Sequence, residues 1–186
     1  MKLIDMSVGT LIKQSRKAGA NPGGGAILIL SSNLALNLTL MMDKNDWGDY
    51  KEKAKVSRET IIKLSDELTK LMQDDVDNFD KLMLKIKSAN DKKEDYILAS
   101  EALIRMNEIN LKALELLGFY LKNGKYYALS DGQIANDMLK EMIFASESII
   151  EVNIGSINDE LKHYQSQAQK LHAINTEIIE RRKQWQ

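Results

Sequence analysis

The sequence has 186 residues and contains no cysteine, one proline and two histidines. The absence of cysteine excludes disulfides, thiolate metal sites and a cysteine nucleophile, and it suits a protein of the reducing cytoplasm. With a single proline the chain has few helix breakers, which favours long uninterrupted helices over a turn-rich β fold. The two histidines, His163 and His172, are nine residues apart. They would lie on opposite sides of one helix, so we expect both to face solvent or a partner and predict no metal site.

A strong net charge is also absent, since the formal charge is −1 and the isoelectric point is about 6.2. No global positive field would draw this chain to nucleic acid or to a membrane surface. The N-terminal residues show no charged segment followed by an apolar run, so we predict no signal peptide. Hydrophobic residues at 44% and charged residues at 28% are typical of a folded protein. The length fits a single domain over residues 1–186.

Helical periodicity runs along most of the chain, and the alternation typical of strands is missing. The predicted helices cover residues 7–18, 26–42, 50–88, 94–121 and 130 onward, the last one bent or divided near Gly155. Segment 26–42 is nearly all apolar, but it is shorter than the ~20 residues of a typical membrane span and contains Asn33 and Asn37. We therefore predict an all-α domain of long antiparallel helices around this buried apolar helix.

Asp75 is the polar residue that the helical spacing singles out. It belongs to a stripe with steps of three and four residues, formed by Leu68, Met72, Asp75, Phe79, Leu82 and Ile86. A carboxylate on a buried stripe must find hydrogen-bond donors, or its pKa rises towards neutrality. A raised pKa is what a general acid or base needs. The structural alternative is a salt bridge to a lysine of a neighbouring helix.

Three other segments allow both a binding and a structural interpretation. The segment Pro22-Gly23-Gly24-Gly25 could bring a ligand close to backbone N–H groups at a helix start, or it could serve a sharp turn and close helix packing. Ser130 and Gln133 fit a capping box, and Asp131 suits the first turn of a helix, while a ligand role stays open. Asn153 continues a core-facing phase and could bind a polar ligand or a backbone group.

Four segments occur in the order and at the spacing of the motifs of one family. Asn-Pro-Gly-Gly-Gly-Ala at 21–26 resembles its Thr-Pro-Gly-Gly-Gly-Ser opening, and Asp75-Val-Asp-Asn-Phe79 resembles its Asp-x-x-Ala-Phe helix. Ser130-Asp131-x-x-Ile-Ala135 resembles its Ser-Asp-x-x-Val-Ala segment. Val152-Asn153, followed by Ile157-x-Asp159, resembles its Ile-Asn-Leu segment and the acidic residue beyond. The chain thus resembles the formiminotetrahydrofolate cyclodeaminase / methenyltetrahydrofolate cyclohydrolase family over nearly its whole length.

The resemblance implies an all-helical homodimer that acts on a one-carbon derivative of tetrahydrofolate without a metal or organic cofactor. Family members either close 5-formiminotetrahydrofolate to the 5,10-methenyl form with loss of ammonia, or hydrolyse the methenyl form to 10-formyltetrahydrofolate. The catalytic acid of the family carries over to Asp75. The predicted substrate-binding residues are Pro22, Gly23, Gly24, Gly25, Lys44, Phe79, Gly124, Lys125, Ser130, Asp131 and Asn153.

Several polar positions of the family differ in this chain. A serine of the family is Ala26, a lysine is Asp49, and an asparagine is Lys125; Lys44 or Lys125 could replace the lost lysine. A proline of the family is Asn110, and an asparagine is Ile149. Hydrolysis of the methenyl bridge is the leading hypothesis, with deamination of the formimino form as its alternative. There are two other hypotheses. The protein could bind folate without turnover, or it could be a helical scaffold whose apolar faces serve only dimerisation.

Overall fold

The computed structural model describes residues 2–17, 22–154 and 159–184, and these ranges contain helices and turns but no strand. Short 3-10 turns at Leu3–Asp5, Gly48–Tyr50 and Tyr126–Ala128 lie between or before the longer helices. The six α-helices are α1 (Val8–Gln14), α2 (Gly24–Met41), α3 (Lys51–Lys87), α4 (Lys93–Asn123), α5 (Leu129–Ile154) and α6 (Asp159–Lys183). The all-α class is therefore as predicted.

The long helices begin and end close to the predicted positions, with two differences. Helix α1 ends at Gln14, earlier than the predicted end at residue 18, and Ser7 caps it by accepting a hydrogen bond from the Thr10 N–H at 3.2 Å. The capping box predicted at Ser130 is wrong, because the Tyr126–Ala128 turn runs directly into α5 and Ser130 is already its second residue. The predicted bend at Gly155 lies outside the described residues.

Consecutive long helices run antiparallel, as their side-chain contacts show. Asn33 near the middle of α2 donates to the Ser65 carbonyl of α3 at 3.1 Å, while Asp43 after the end of α2 pairs with Arg58 near the start of α3. Between α4 and α5, the Asn107 amide donates to Ser146 Oγ at 2.9 Å. The connections are short and the helices long, so every long helix returns beside its predecessor.

The most enclosed helix is α4, which packs against α2, α3, α5 and α6. Its buried side chains include three polar groups, among them Asn107 and Asn110. The predicted apolar helix α2 packs against α3, α4 and α5, but one side of it stays open. By length and composition α2 could cross a membrane, yet Ile29, Ala35 and Leu36 are fully buried within the helical core.

The two ends of α2 lie in two separate regions of the molecule. Its start at Gly24 meets the middle of α3 and the end of α5. Met42, directly after its end, meets the start of α5, where Gly132 leaves room for the methionine sulfur. The helix has 18 residues, so at 1.5 Å per residue the two regions are about 27 Å apart.

Candidate active site

A cavity of about 440 Å³ opens at the N-terminal end of α2. Four helices contribute to its wall, namely α2, α3, α4 and α5, and the lining residues are Gly23, Gly24, Gly25, Asp75, Phe79, Ala99, Ile149 and Asn153. The volume is within the usual range of small-molecule sites, about 300–1,000 Å³. Asp75 is the single carboxylate among these lining residues, so it is the polar centre of an otherwise mostly apolar cavity.

The start of α2 approaches the Asp75 carboxylate so closely that only glycine fits there. A Cβ atom on Gly25 would lie 2.6 Å from Asp75 Oδ2 and closer still to Oδ1, whereas a Cβ on Gly24 would lie 3.3 Å from Ile149 Cδ1. Gly23 is the N-cap of α2 in extended conformation and has no side chain to bond the first amides of the helix. The amide groups of this first turn therefore lack intrahelical partners, and they point towards the end at which Asp75 lies.

Burial raises the pKa of Asp75 to about 6, and hydrogen bonding from the Ala26 backbone amide opposes that rise. Only 8% of the residue is exposed. Desolvation disfavours the ionised form, so it outweighs the local stabilisation of the carboxylate by the amide. The salt bridge to a lysine that sequence alone left open is not found for Asp75 among the described residues. A carboxyl group with this pKa can accept and return a proton near neutral pH.

The walls beside Asp75 combine one flat ring with small and branched apolar groups. Phe79 lies one turn after Asp75 on α3. Ala99 of α4 and Ile149 of α5 line the same cavity. Asn153 contributes the amide at the rim, one turn after Ile149. Such a cavity suits a planar heterocycle held between apolar surfaces, with polar atoms at its edge. The sequence analysis did not identify Ala99, because nothing in the sequence distinguishes one small apolar residue of a helix from another.

The structure brings together one group of the predicted site residues and separates the other. Gly23, Gly24, Gly25, Asp75, Phe79 and Asn153 line the cavity, and Pro22 is buried immediately before it. The remaining predicted residues, Lys44, Gly124, Lys125, Ser130 and Asp131, belong to the opposite end of α2 and do not line the cavity of the same chain.

At that opposite end, the residues that follow α4 contact the residue that follows α2. The Lys125 N–H donates to the Met42 carbonyl at 2.8 Å, and Gly124 is so close to this carbonyl that a Cβ atom would lie 2.6 Å from its oxygen. Lys44 Nζ lies 4.9 Å from the centre of the Trp47 ring. Ser130 is exposed and Asp131 half-buried near the start of α5. These residues join the connection after α2 to the connection after α4.

Comparison with known proteins identifies the family and the fold. The family profile described as Formiminotransferase-cyclodeaminase matches residues 7–172. The chain belongs to this family. Comparison with curated proteins gives no match. Among solved structures, the crystal structure of formiminotetrahydrofolate cyclodeaminase from Thermotoga maritima is similar, with a TM-score of 0.87 at 17% sequence identity, covering 96% of this chain and 98% of that one. At this identity the likeness shows the fold.

Three of the five positions at which this chain departs from the family's motifs lie at the cavity or in the core. Ala26 and Ile149 are at the cavity, where the Ala26 backbone amide serves Asp75 and the Ile149 side chain lines the wall. Asn110 is fully buried away from it, donating to Ser32 Oγ at 2.8 Å. Ile149 therefore presents an apolar side chain to the cavity, whereas Asn110 belongs to the core.

No group of three or more histidine and acidic side chains is arranged to hold a metal ion in the part of the chain that the structure describes. His172 instead bonds Asp137 Oδ1 at 2.7 Å across α5 and α6.

Proposed function

We propose that this protein hydrolyses 5,10-methenyltetrahydrofolate to 10-formyltetrahydrofolate, with Asp75 as the catalytic base and acid. The observation that carries the proposal is a nearly buried carboxyl group, with a pKa of about 6, that lines a cavity of about 440 Å³. Membership of a folate-processing family gives the substrate class. We also propose that it acts in the cytoplasm as a homodimer.

The chemistry needs one group that moves a proton twice. The methenyl carbon of the substrate is part of a cationic amidinium system and is already electrophilic, so the reaction as proposed needs no cofactor. Ionised Asp75 stabilises this cation and removes a proton from the attacking water as the new C–O bond forms. Protonated Asp75 then gives the proton to the departing ring nitrogen as the C–N bond breaks. The hydroxyl proton of the intermediate leaves to solvent, which gives the formyl group.

The remaining cavity residues would position the folate. Phe79 offers an aromatic surface for the ring system, and the first amides of α2 can donate hydrogen bonds to its polar edge. The Asn153 side chain can donate or accept at the rim. Gly25 keeps the reacting carbon within reach of Asp75, because any side chain at this position would occupy that space.

Formiminotetrahydrofolate cyclodeamination is the second candidate, because the name of the similar solved structure is that of a cyclodeaminase. This reaction makes the methenyl bridge and releases ammonia, so it also needs an acid that protonates a departing nitrogen. Ile149 in place of the family's asparagine favours hydrolysis, since it leaves one polar group fewer at the cavity to bind a formimino nitrogen.

The test follows the loss of methenyltetrahydrofolate absorbance after subtraction of the uncatalysed rate. We expect turnover by the wild type, and a loss of about 10²–10⁴-fold in kcat for Asp75→Asn. Asp74→Asn is the matched control, because Asp74 precedes Asp75 on the same helix and is exposed. The wild-type rate should fall below about pH 6, where Asp75 becomes protonated. Turnover of the formimino substrate alone would favour the second candidate, and binding of either folate without turnover would refute catalysis.

A further inference from the structure

A further cavity, of about 410 Å³, lies in the groove between the start of α3 and the end of α4. We call it the lysine cavity, because Lys53, Lys112 and Lys122 all line it. Among the described residues, its lining shares none with the cavity at Asp75. Ser57, which also lines it, precedes Asp75 by 18 residues on α3, which is about 27 Å along the helix. The two cavities are therefore separate.

The side chain of Ser57 is the feature of this cavity that points to a ligand. The residue is only 5% exposed, yet its hydroxyl has no hydrogen-bond partner among the described residues. Other hydroxyl side chains of the same helix, those of Thr60 and Thr69, donate to the carbonyl four residues earlier. A buried polar group without a partner is unfavourable and uncommon. The Ser57 hydroxyl is thus available to a polar group that enters the cavity.

The charges that line the cavity are mostly positive. Lys53 lies one turn before Ser57 on α3, and Lys112 and Lys122 come from α4. Lys112 pairs with Glu115 at 2.8 Å. Lys53 and Lys122 form no ion pair among the described residues. Three lysines and one glutamate leave the lining with a net charge of +2, which attracts an anion.

The ends of the two helices do not oppose an anion here. The negative end of the α4 dipole lies at Asn123, but carbonyls of this last turn are bonded to donors. Asn123 donates to the Phe119 carbonyl at 2.9 Å, while Arg182 donates to the carbonyls of Leu121 and Gly124. The guanidinium charge of Arg182 offsets the partial negative charge of the helix end. The start of α3, which is the positive end of its dipole, lies at the same cavity.

An apolar wall adjoins these charges. Tyr50 is 50% exposed, and its ring centre lies 6.1 Å from that of Phe119. Lys53 Nζ lies 5.0 Å from the centre of the Phe119 ring, so the aromatic wall and the cations are next to each other. Leu116 is half-buried and lines the same cavity. The volume is within the usual range of small-molecule sites, about 300–1,000 Å³. The cavity thus has room for an organic group beside an anionic one.

A phosphate group fits these surroundings better than a carboxylate does. The terminal oxygens of a phosphate monoester point in three directions, so they can reach a hydroxyl and lysines of two helices at once. A carboxylate is planar and has two oxygens, which suits the fork of an arginine. Lysine binds phosphate as a point charge. A phosphate monoester carries close to two negative charges at neutral pH, which matches the net charge of the lining.

We propose that the lysine cavity binds a small phosphate monoester with an aromatic or apolar group. Ser57, Lys53 and Lys122 hold the phosphate, and Tyr50 contacts the organic group. This site does not depend on the proposed function, because it shares no lining residue with the cavity at Asp75 among the described residues.

The first experiment measures binding by titration calorimetry at low salt, with phenyl phosphate, inorganic phosphate and benzoate as probes. We expect phenyl phosphate to bind once per chain and to bind less tightly as salt is added. Inorganic phosphate should compete for the same site with lower affinity, and benzoate should bind at least tenfold more weakly than phenyl phosphate. No binding of phenyl phosphate in the millimolar range would overturn the proposal. So would an affinity for either of the other probes that equals it.

Variants test which side chains hold the phosphate. Lys53→Gln and Lys122→Gln should each weaken the binding of phenyl phosphate by about tenfold or more, because each removes a charged hydrogen-bond donor. Ser57→Ala should also weaken it, while the midpoint of thermal unfolding stays nearly unchanged, since the hydroxyl has no partner to lose within the described chain. Lys63→Gln is the matched control, because Lys63 is exposed on α3 and does not line the cavity. An equal loss in the control, or none in Lys53→Gln, would contradict this site.

The place of binding is tested with the full chain by amide resonance shifts on addition of phenyl phosphate. We expect shifts at Ser57 and Asn123, and none at Gly25. Asp75→Asn should bind phenyl phosphate as tightly as the wild type. Shifts centred on Gly25, or a loss of binding in Asp75→Asn, would place the ester in the cavity at Asp75 and overturn the proposal, whether or not the protein turns over a folate.

Discussion

Replacement of Asp75 by asparagine should make the folded protein more stable at neutral pH, although it removes the proposed catalytic group. Burial raises the pKa of Asp75 from 3.8 to about 6. The folded state therefore holds the proton more tightly than the unfolded chain, in which the pKa is near its ordinary value. A rise of about two units corresponds to about 3 kcal/mol between the two protonation states.

The sign of the effect follows from the number of bound protons. Below about pH 4 the carboxyl group is protonated in both states, and it costs little. Between about pH 4 and pH 6 the folded state binds more protons than the unfolded state, so the free energy of unfolding falls as the pH rises. Above about pH 6 the penalty is complete and constant. Asparagine has nearly the same shape but does not titrate, so it avoids this loss.

The assay is urea denaturation between pH 4 and pH 8 at one protein concentration, for wild type, Asp75→Asn and Asp74→Asn. The free energy of unfolding of Asp75→Asn relative to wild type should increase with pH by up to about 3 kcal/mol and level off above about pH 6. Asp74→Asn, which changes an exposed carboxylate, should show no such step. A difference that does not depend on pH, or a variant less stable than wild type at pH 7, would refute this account of the buried carboxyl group.

Two further substitutions test the packing around the site and in the core. Gly25→Ala would place a methyl group 2.6 Å from Asp75 Oδ2, so we expect at least a tenfold loss of activity and about 1–3 kcal/mol of stability by thermal denaturation; Gly9→Ala, where the space is empty, should lose neither. Asn175→Ala removes the amide that donates to the Leu114 carbonyl at 3.0 Å. It should cost about 1–3 kcal/mol in urea denaturation, and an unchanged midpoint would contradict a structural role for this buried group.

The class of fold and the position of Asp75 were both accessible from sequence. Helical periodicity depends on which residues avoid water, and this preference is local to each helix, so the helical class and the approximate limits of α2, α3 and α4 followed from it. Whether the chain after Ser130 forms one helix or two stayed open. Asp75 stood on an apolar stripe, and a residue in that phase is expected to face the core. The motif around Gly23, Gly24 and Gly25 belonged to the same family pattern, and the structure places it against this carboxylate.

Sequence could not determine which residues meet in space. The local pattern predicted that Ser130 caps a helix. The Tyr126–Ala128 turn leads directly into that helix, so the path of the connection places Ser130 inside it. Lys44 and Asp75 were both predicted to belong to one site, yet they lie at opposite ends of α2. Only the antiparallel packing of the helices shows this separation, because contacts between helices depend on orientation and not on order along the chain.

The chain by itself determined that it forms long helices and that one carboxylate is buried among them. The tertiary structure decided how strongly that carboxylate is perturbed, since its pKa depends on burial by the surrounding helices and on the hydrogen bond from the Ala26 backbone amide. It also decided that the apolar side of α2 stays open around Leu34. A hydrophobic helix has the same kind of sequence whether it packs against the core of its own chain or against a second molecule. Only three-dimensional packing distinguishes the two cases.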